Sequence, residues 1–153
     1  MEGYRVMKKI VFLTGTRADF GKLKSLMSIS QNSKNFEVHL FVTGMHMNSL
    51  YGLTVDEIVK AGFKNIYKYI NHDSIEYMDR TLAKTIDGFS QYVTQINPDM
   101  IVVHGDRLEA LAGAIVGSLN QQIVFNRKKN PSYAKKMKCA RNAAMKKLGD
   151  GKK

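Results

Sequence analysis

The feature that most restricts the fold is the alternation of short β-rich runs with segments of helical period. Residues 9–14 (KIVFLT), 37–42 (EVHLFV), 65–70 and 100–103 (MIVV) read as strands, and residues 123–125 begin a fifth. The first and fourth are continuously apolar, as expected of strands covered on both faces. Between the runs, residues 23–30 place Leu23, Leu26, Met27 and Ser30 at helical spacing. Residues 74–95 do the same with Ile75, Met78, Leu82, Ile86, Phe89 and Val93. Residues 54–61 and the small-residue segment 108–119 complete the helical set. Strand-helix alternation of this kind predicts an α/β domain: a Rossmann-like parallel sheet with helices on both faces.

Local signals set the expected boundaries. Thr54 and Glu57 have capping-box spacing, and Gly62 stands where a helix would stop. Asp73 or Ser74 is the expected cap of the long helix, which should end near Asn97-Pro98 because proline disfavours helix in the residue before it. Met7 opens a natural-looking MKKIVFLTG start, so residues 1–6 are left out of fold reasoning.

Charge divides the chain unevenly. The formal net charge is +11, yet residues 1–120 hold 13 Lys/Arg against 12 Asp/Glu, whereas residues 121–153 hold 11 against Asp150 alone. The expected organisation is a near-neutral domain over residues 7–126 and a basic tail over 127–153, helical or disordered. A helix over 132–148 would align Tyr133, Met137, Ala140, Ala144 and Leu148 on one face. Nucleic-acid binding is disfavoured, since one tail aromatic, Tyr133, offers poor stacking. One cysteine, Cys139, rules out an internal disulfide, and no His/Cys/Asp/Glu spacing suggests a metal site. No run is long enough to span a bilayer or to form a signal-peptide core, so a cytoplasmic protein is expected.

In open α/β sheets ligands sit at the carboxyl ends of strands. Three such ends are rich in glycine and polar residues: TGTRADFGK over 14–22, TGMH over 43–46 and HGDR over 104–107, with Glu109 one turn further on. The first couples glycine to a helix start, where free N–H groups and a cationic fork from Arg17 would suit a diphosphate; a plain strand-to-helix turn fits the same residues. It is neither G-x-G-x-x-G nor a Walker loop, which argues against NAD and against ATP hydrolysis. In the third, Asp106 is a candidate acid/base beside Arg107 and the candidate base His104. Asp106 could equally cap the next helix, and His104, His46 and His39 could all be structural.

Taken together, residues 7–24 (MKKIVFLTGTRADFGKLK), 42–46 (VTGMH) and 104–117 (HGDRLEALAGAIVG) resemble the N-terminal domain of hydrolysing UDP-N-acetylglucosamine 2-epimerases, of the kind found in sialic-acid and related nonulosonic-acid biosynthesis. The resemblance covers about residues 7–120. It implies half of a glycosyltransferase-B-type fold, whose active site lies in a cleft between two Rossmann-like domains. It also implies release of UDP by elimination across C1 and C2 and addition of water to give N-acetylmannosamine, with no nicotinamide cofactor. Carried over by motif, Asp106 and His104 would be catalytic. Arg17 and Arg107 would bind phosphate or leaving UDP, His46 would line the sugar cleft, and Asp19 and Glu109 would be further substrate-binding candidates. The resemblance departs after residue 125: the family's His-x-Glu-Gly-Gly segment is replaced by Phe125-Asn126-Arg127-Lys128-Lys129, and no second domain follows. The expectation is therefore a truncated half, inactive alone. The alternative is a non-catalytic nucleotide-sugar-binding or interaction module that pairs with a complementary domain or forms a homo-oligomer.

Overall fold

The computed structural model describes residues 7–72 and 77–127. Five strands, β1 (Lys8–Thr14), β2 (Phe36–Val42), β3 (Asn65–Lys68), β4 (Met100–Val103) and β5 (Ile123–Asn126), alternate with four helices, α1 (Arg17–Asn32), α2 (Val55–Lys60), α3 (Met78–Ile96) and α4 (Leu108–Leu119). All strands are parallel, in the order β3-β2-β1-β4-β5. The chain starts in the middle of the sheet, builds outward through β2 and β3, then crosses back to place β4 on the other side of β1. The strand order reverses there, so the loops after β1 and β4 flank the crevice where such sheets take ligands.

Alternating side chains feed two cores. Ile10, Phe12, Val38, Leu40, Val42 and Val102 pack with Phe20, Leu23 and Met27 of α1 and with Val55 and Ile58 of α2. On the opposite face, Val11, Leu13, Phe41, Ile101 and Val103 pack with Phe89, Tyr92 and Val93 of α3 and with Ala110 and Val116 of α4. This two-sided burial is why the strands lack a polar face.

Several boundaries differ from the sequence reading. The first helix starts at Arg17 and not at residue 23, because the Thr16 hydroxyl accepts from the Asp19 amide and caps it. Arg17, Ala18 and Asp19 are thus first-turn residues rather than loop. Thr54 does not cap α2: its backbone is already helical, and it makes no cap bond. Gly62, with φ of 82°, does follow the helix end at Ala61. β3 stops at Lys68. Helix α3 ends at Asn97, whose left-handed φ of 50° brings its N–H to the Val93 carbonyl just before Pro98.

The apolar stripe expected on α3 is rotated. Thr81, Thr85 and Gly88 face inward with Phe89 and Tyr92, while Met78 is exposed and Leu82 and Ile86 are half-buried. Large rings from the sheet force this choice. Tyr69 lies where a side chain at position 88 would be, 2.2 Å from an ideal Cβ, and Phe41 packs edge-on to Phe89 at 5.0 Å. Small helix residues therefore meet bulky strand residues. The expected caps Asp73 and Ser74, the start at residue 74, Ile75 and the tail helix over 132–148 all lie outside the described residues.

Candidate functional site

The loops after β1, β2 and β4 converge on one buried carboxylate. Glu109, in the first turn of α4, is 4% exposed. A Cβ added to Gly15 would come within 2.4 Å of its carboxyl group, and one added to Gly44 within 2.6 Å of Oε1 and 2.8 Å of the Gly15 carbonyl oxygen. Gly44 also has φ of 62°, a conformation that strains any residue with a side chain. The glycines at these strand ends thus make room for Glu109. Its Oε2 lies 3.4 Å from Arg107 Nε. Glu109, expected among the substrate-binding residues, lies buried beneath the three loops.

His46 lies deeper still. Expected to line the sugar cleft, it has a wholly buried ring, edge-on to Phe20. Nε2 lies 3.0 Å from the Thr14 hydroxyl and Nδ1 2.7 Å from the Thr54 hydroxyl. Thr14 directs its own hydrogen to the Thr16 carbonyl, so it accepts from Nε2–H and leaves Thr54 to donate to Nδ1. That pattern suits a neutral ring. Burial pushes the His46 pKa down to about 4, against a smaller upward pull from the Asp19 carboxylate. Thr54, read as a helix cap, is instead the hydroxyl that fixes this ring.

His104 and Asp19 come together as neighbours, with Nδ1 3.4 Å from Oδ1 and both side chains largely buried. The loop that follows is braced from β5. The Asn126 side chain accepts from the Gly105 amide at 3.2 Å and donates to its carbonyl at 2.7 Å. An equivalent brace holds the loop after β2, where Gly44 N–H donates to Asn71 Oδ1 and Asn71 Nδ2 donates to Thr85. Sequence reasoning missed Asn71, Asn126, Thr14 and Thr54; an asparagine at a strand's carboxyl end was the available signal.

The cations stand at the surface. Arg17 projects from the first turn of α1 and pairs with Glu57 of α2 at 2.8 Å. Arg107 reaches the sulfur of Met45 at 3.8 Å, which links the third loop to the second. Asp106 is exposed beside it. The N-cap position of α4 is Arg107, and no side-chain cap bond forms there, so Asp106 is not the helix cap. The structure therefore arranges two tiers. Thr14, Asp19, His46 and Glu109 are buried, and Arg17, Asp106 and Arg107 are exposed above them. Among the described residues, three buried side-chain atoms lack a hydrogen-bond partner: Thr43 Oγ1, His104 Nδ1 and Glu109 Oε2. All three belong to these strand-end loops. Two of them face an ion partner instead, His104 Nδ1 toward Asp19 Oδ1 and Glu109 Oε2 toward Arg107 Nε, each at 3.4 Å. Among the described residues no group of three His, Cys, Asp or Glu side chains could hold a metal ion, and no helix is long and apolar enough to cross a membrane.

Comparison with known proteins agrees with this geometry. The family described as UDP-N-acetylglucosamine 2-epimerase matches residues 28–125. A curated relative from Neisseria meningitidis serogroup B, named UDP-N-acetylglucosamine 2-epimerase, is 48% identical over 118 residues, covering 77% of this chain and 31% of its own length. The UDP-N,N'-diacetylbacillosamine 2-epimerase (hydrolyzing) of Legionella pneumophila is 37% identical over 114 residues, covering 72% of this chain and 30% of its own. The crystal structure of UDP-GlcNAc 2-epimerase from Neisseria meningitidis bound to UDP-GlcNAc superposes with a TM-score of 0.68 at 16% identity, over 77% of this chain and 31% of that one. The chain thus spans about a third of the length of the relatives it matches. With residues 28–125 matched and the strand-end loops assembled as described, the chain belongs to the UDP-N-acetylglucosamine 2-epimerase family.

Proposed function

We propose that this chain supplies the N-terminal half of a hydrolysing UDP-N-acetylglucosamine 2-epimerase, and that by itself it binds a UDP-sugar without turning it over. The observation that carries the reading is the exposed tier at the strand-order reversal, with Arg17, Asp106 and Arg107 held over a buried, pre-formed base. In the reaction implied, a base removes the C2 proton, the C1–oxygen bond breaks with its electron pair leaving on UDP, and water adds to the resulting glycal to give N-acetylmannosamine. Asp106 is assigned the acid/base role, with His104 beside it as a second proton-handling group. Arg17 and Arg107 stabilise the charge that develops on the departing diphosphate. Asp19 orients His104, while His46 and Glu109 hold the loops.

A second reading is a non-catalytic nucleotide-sugar-binding module, which the exposed Arg17 and Arg107 would serve equally. Calorimetric titration of the full chain with UDP and UDP-N-acetylglucosamine, alongside an assay for released UDP and N-acetylmannosamine, separates the cases. The expected result is UDP binding weakened at least about tenfold by Arg17→Ala or Arg107→Ala, with no product. Turnover would overturn the inactive half, and failure to bind either ligand would overturn the nucleotide site.

A further inference from the structure

The two edges of the sheet are covered unequally. At β3, Ile66 packs against the core under α1 and α2, and Tyr67 stacks on Phe41 on the other face. At β5, Val124 packs with the α3–α4 core, 2.2 Å from an ideal Cβ at Gly117. Its neighbours Ile123 and Phe125 point the other way, to the α1 side, where they are 61% and 47% exposed. Ile29 of α1 is 71% exposed across from them. Ser25, Leu26, Ile29, Phe125 and Arg127 line a groove of about 300 Å³ between α1 and β5. Strands of a parallel sheet are ordinarily covered on both faces. Among the described residues, no helix covers β5 on this side.

We infer that residues 132–148 form a helix that packs in this groove, beside α1, and closes the α1 side of β5. Continuity supports this occupant. The Arg127 N–H donates to the Val103 carbonyl, so the β4–β5 ladder runs to the last described residue. The Arg127 guanidinium donates to the Lys22 carbonyl, which fastens the exit of the strand to α1 at the groove. Residues 128–131 then make a connection within the ~2–6 residues usual between strand and helix. A tether this short holds the segment at an effective concentration on the order of millimolar, above that of a separate partner. The pattern of the segment fits as well. Tyr133, Met137, Ala140, Ala144 and Leu148 would share one side of a helix as long as α1, with Lys135, Lys138 and Lys146 on the opposite side, toward water. Two alanines in the middle of that stripe suit the bulky Ile29 and Phe125, as Gly88 of α3 suits Tyr69. Apolar contact and not charge holds the segment, because Arg127 on the rim has the segment's own sign. The inference does not depend on the reaction proposed above, since no residue of the groove is assigned a role in it.

Hydrogen–deuterium exchange of the full chain, read by mass spectrometry, tests it. Amides within 133–148 are expected to exchange at least about tenfold more slowly than those of an open chain. Ile29→Asp in the groove and Met137→Asp on the stripe are each expected to remove that protection, while exchange in β1 and α3 stays as in the unsubstituted chain. Leu119→Asp, on the far side of the sheet and about as exposed as Ile29, should leave the protection intact. Dilution should not change it, and added salt, which screens like charges, should not weaken it. A segment that exchanges as an open chain overturns the inference, as does protection that survives both Ile29→Asp and Met137→Asp. Protection that appears only at high chain concentration would give the groove to a second copy, and protection that needs added DNA or anionic vesicles would give the segment to an anionic partner; either result overturns it too.

Discussion

The β1–β2 end and the β4 end of the same sheet treat polar side chains in opposite ways. Behind β1 and β2 the polar groups are sealed: His46 is locked between Thr14 and Thr54, and Gly15 and Gly44 close around the Glu109 carboxylate. Behind β4 the loop is open: Gly105 would have nothing near an added Cβ, and Asp106 and Arg107 face outward. One end is a fixed floor and the other a reachable edge. Close packing and exposure are thereby divided between adjacent loops.

The widest gap between the two ends should appear in their glycines. Gly44→Ala is expected to cost about 3 kcal/mol or more, from a strained φ plus collision with the Gly15 backbone. Gly105→Ala, with φ of 85° but open space, should cost only about 1 kcal/mol. Urea denaturation midpoints compare them directly, and equal losses would erase the distinction. Acid should also strike the sealed end. The native His46 pKa of about 4 lies below the 6.5 of an unfolded histidine, so the unfolded chain binds more protons between those values. The stabilisation is complete above pH 6.5, is lost as pH falls, and is exhausted near 4. The loss should approach about 2–3 kcal/mol. His46→Gln should flatten that part of the stability profile; an unchanged slope would mean the ring is not the titrating group.

Hydroxyl and amide braces give a smaller contrast. Thr54→Val strips a buried ring nitrogen of its donor and should cost about 2 kcal/mol, whereas Asn126→Ala, near water, should cost about 1 kcal/mol and speed exchange of the Gly105 amide. Thr54→Ser should stay close to the original chain. The smallest effect belongs to the surface. Glu57→Gln removes the partner of a 73% exposed Arg17 and should change stability by no more than about 0.5 kcal/mol. A larger change would show that the Arg17–Glu57 pair belongs to the floor after all.

Much of the frame was legible from periodicity because two-sided burial leaves plain apolar runs. All five strands and four helices lie where the pattern puts them, with shifts at their ends. The convergence of the three strand-end loops was legible from their glycines and charges. The inner tier was not. Sequence spacing cannot tell that Glu109 turns beneath Gly15, or that Thr54 serves His46 rather than its own helix, since both depend on packing between segments far apart in the chain. The same limit explains the rotated stripe on α3, where aromatic residues on the strands decide which helix face fits.

The central place of β1 has a consequence for how the domain is born. Its two neighbours are β2 and β4, and Lys8 and Lys9 also bind Asp99, about 90 residues away. During synthesis, at roughly 5–20 residues per second, the first strand waits several seconds with one edge unpaired. The loops around Gly15 and Gly44 wait longer, for Glu109 to arrive with α4. The inner tier thus closes only after β4 has paired with β1, once α4 brings Glu109 beneath the two glycines.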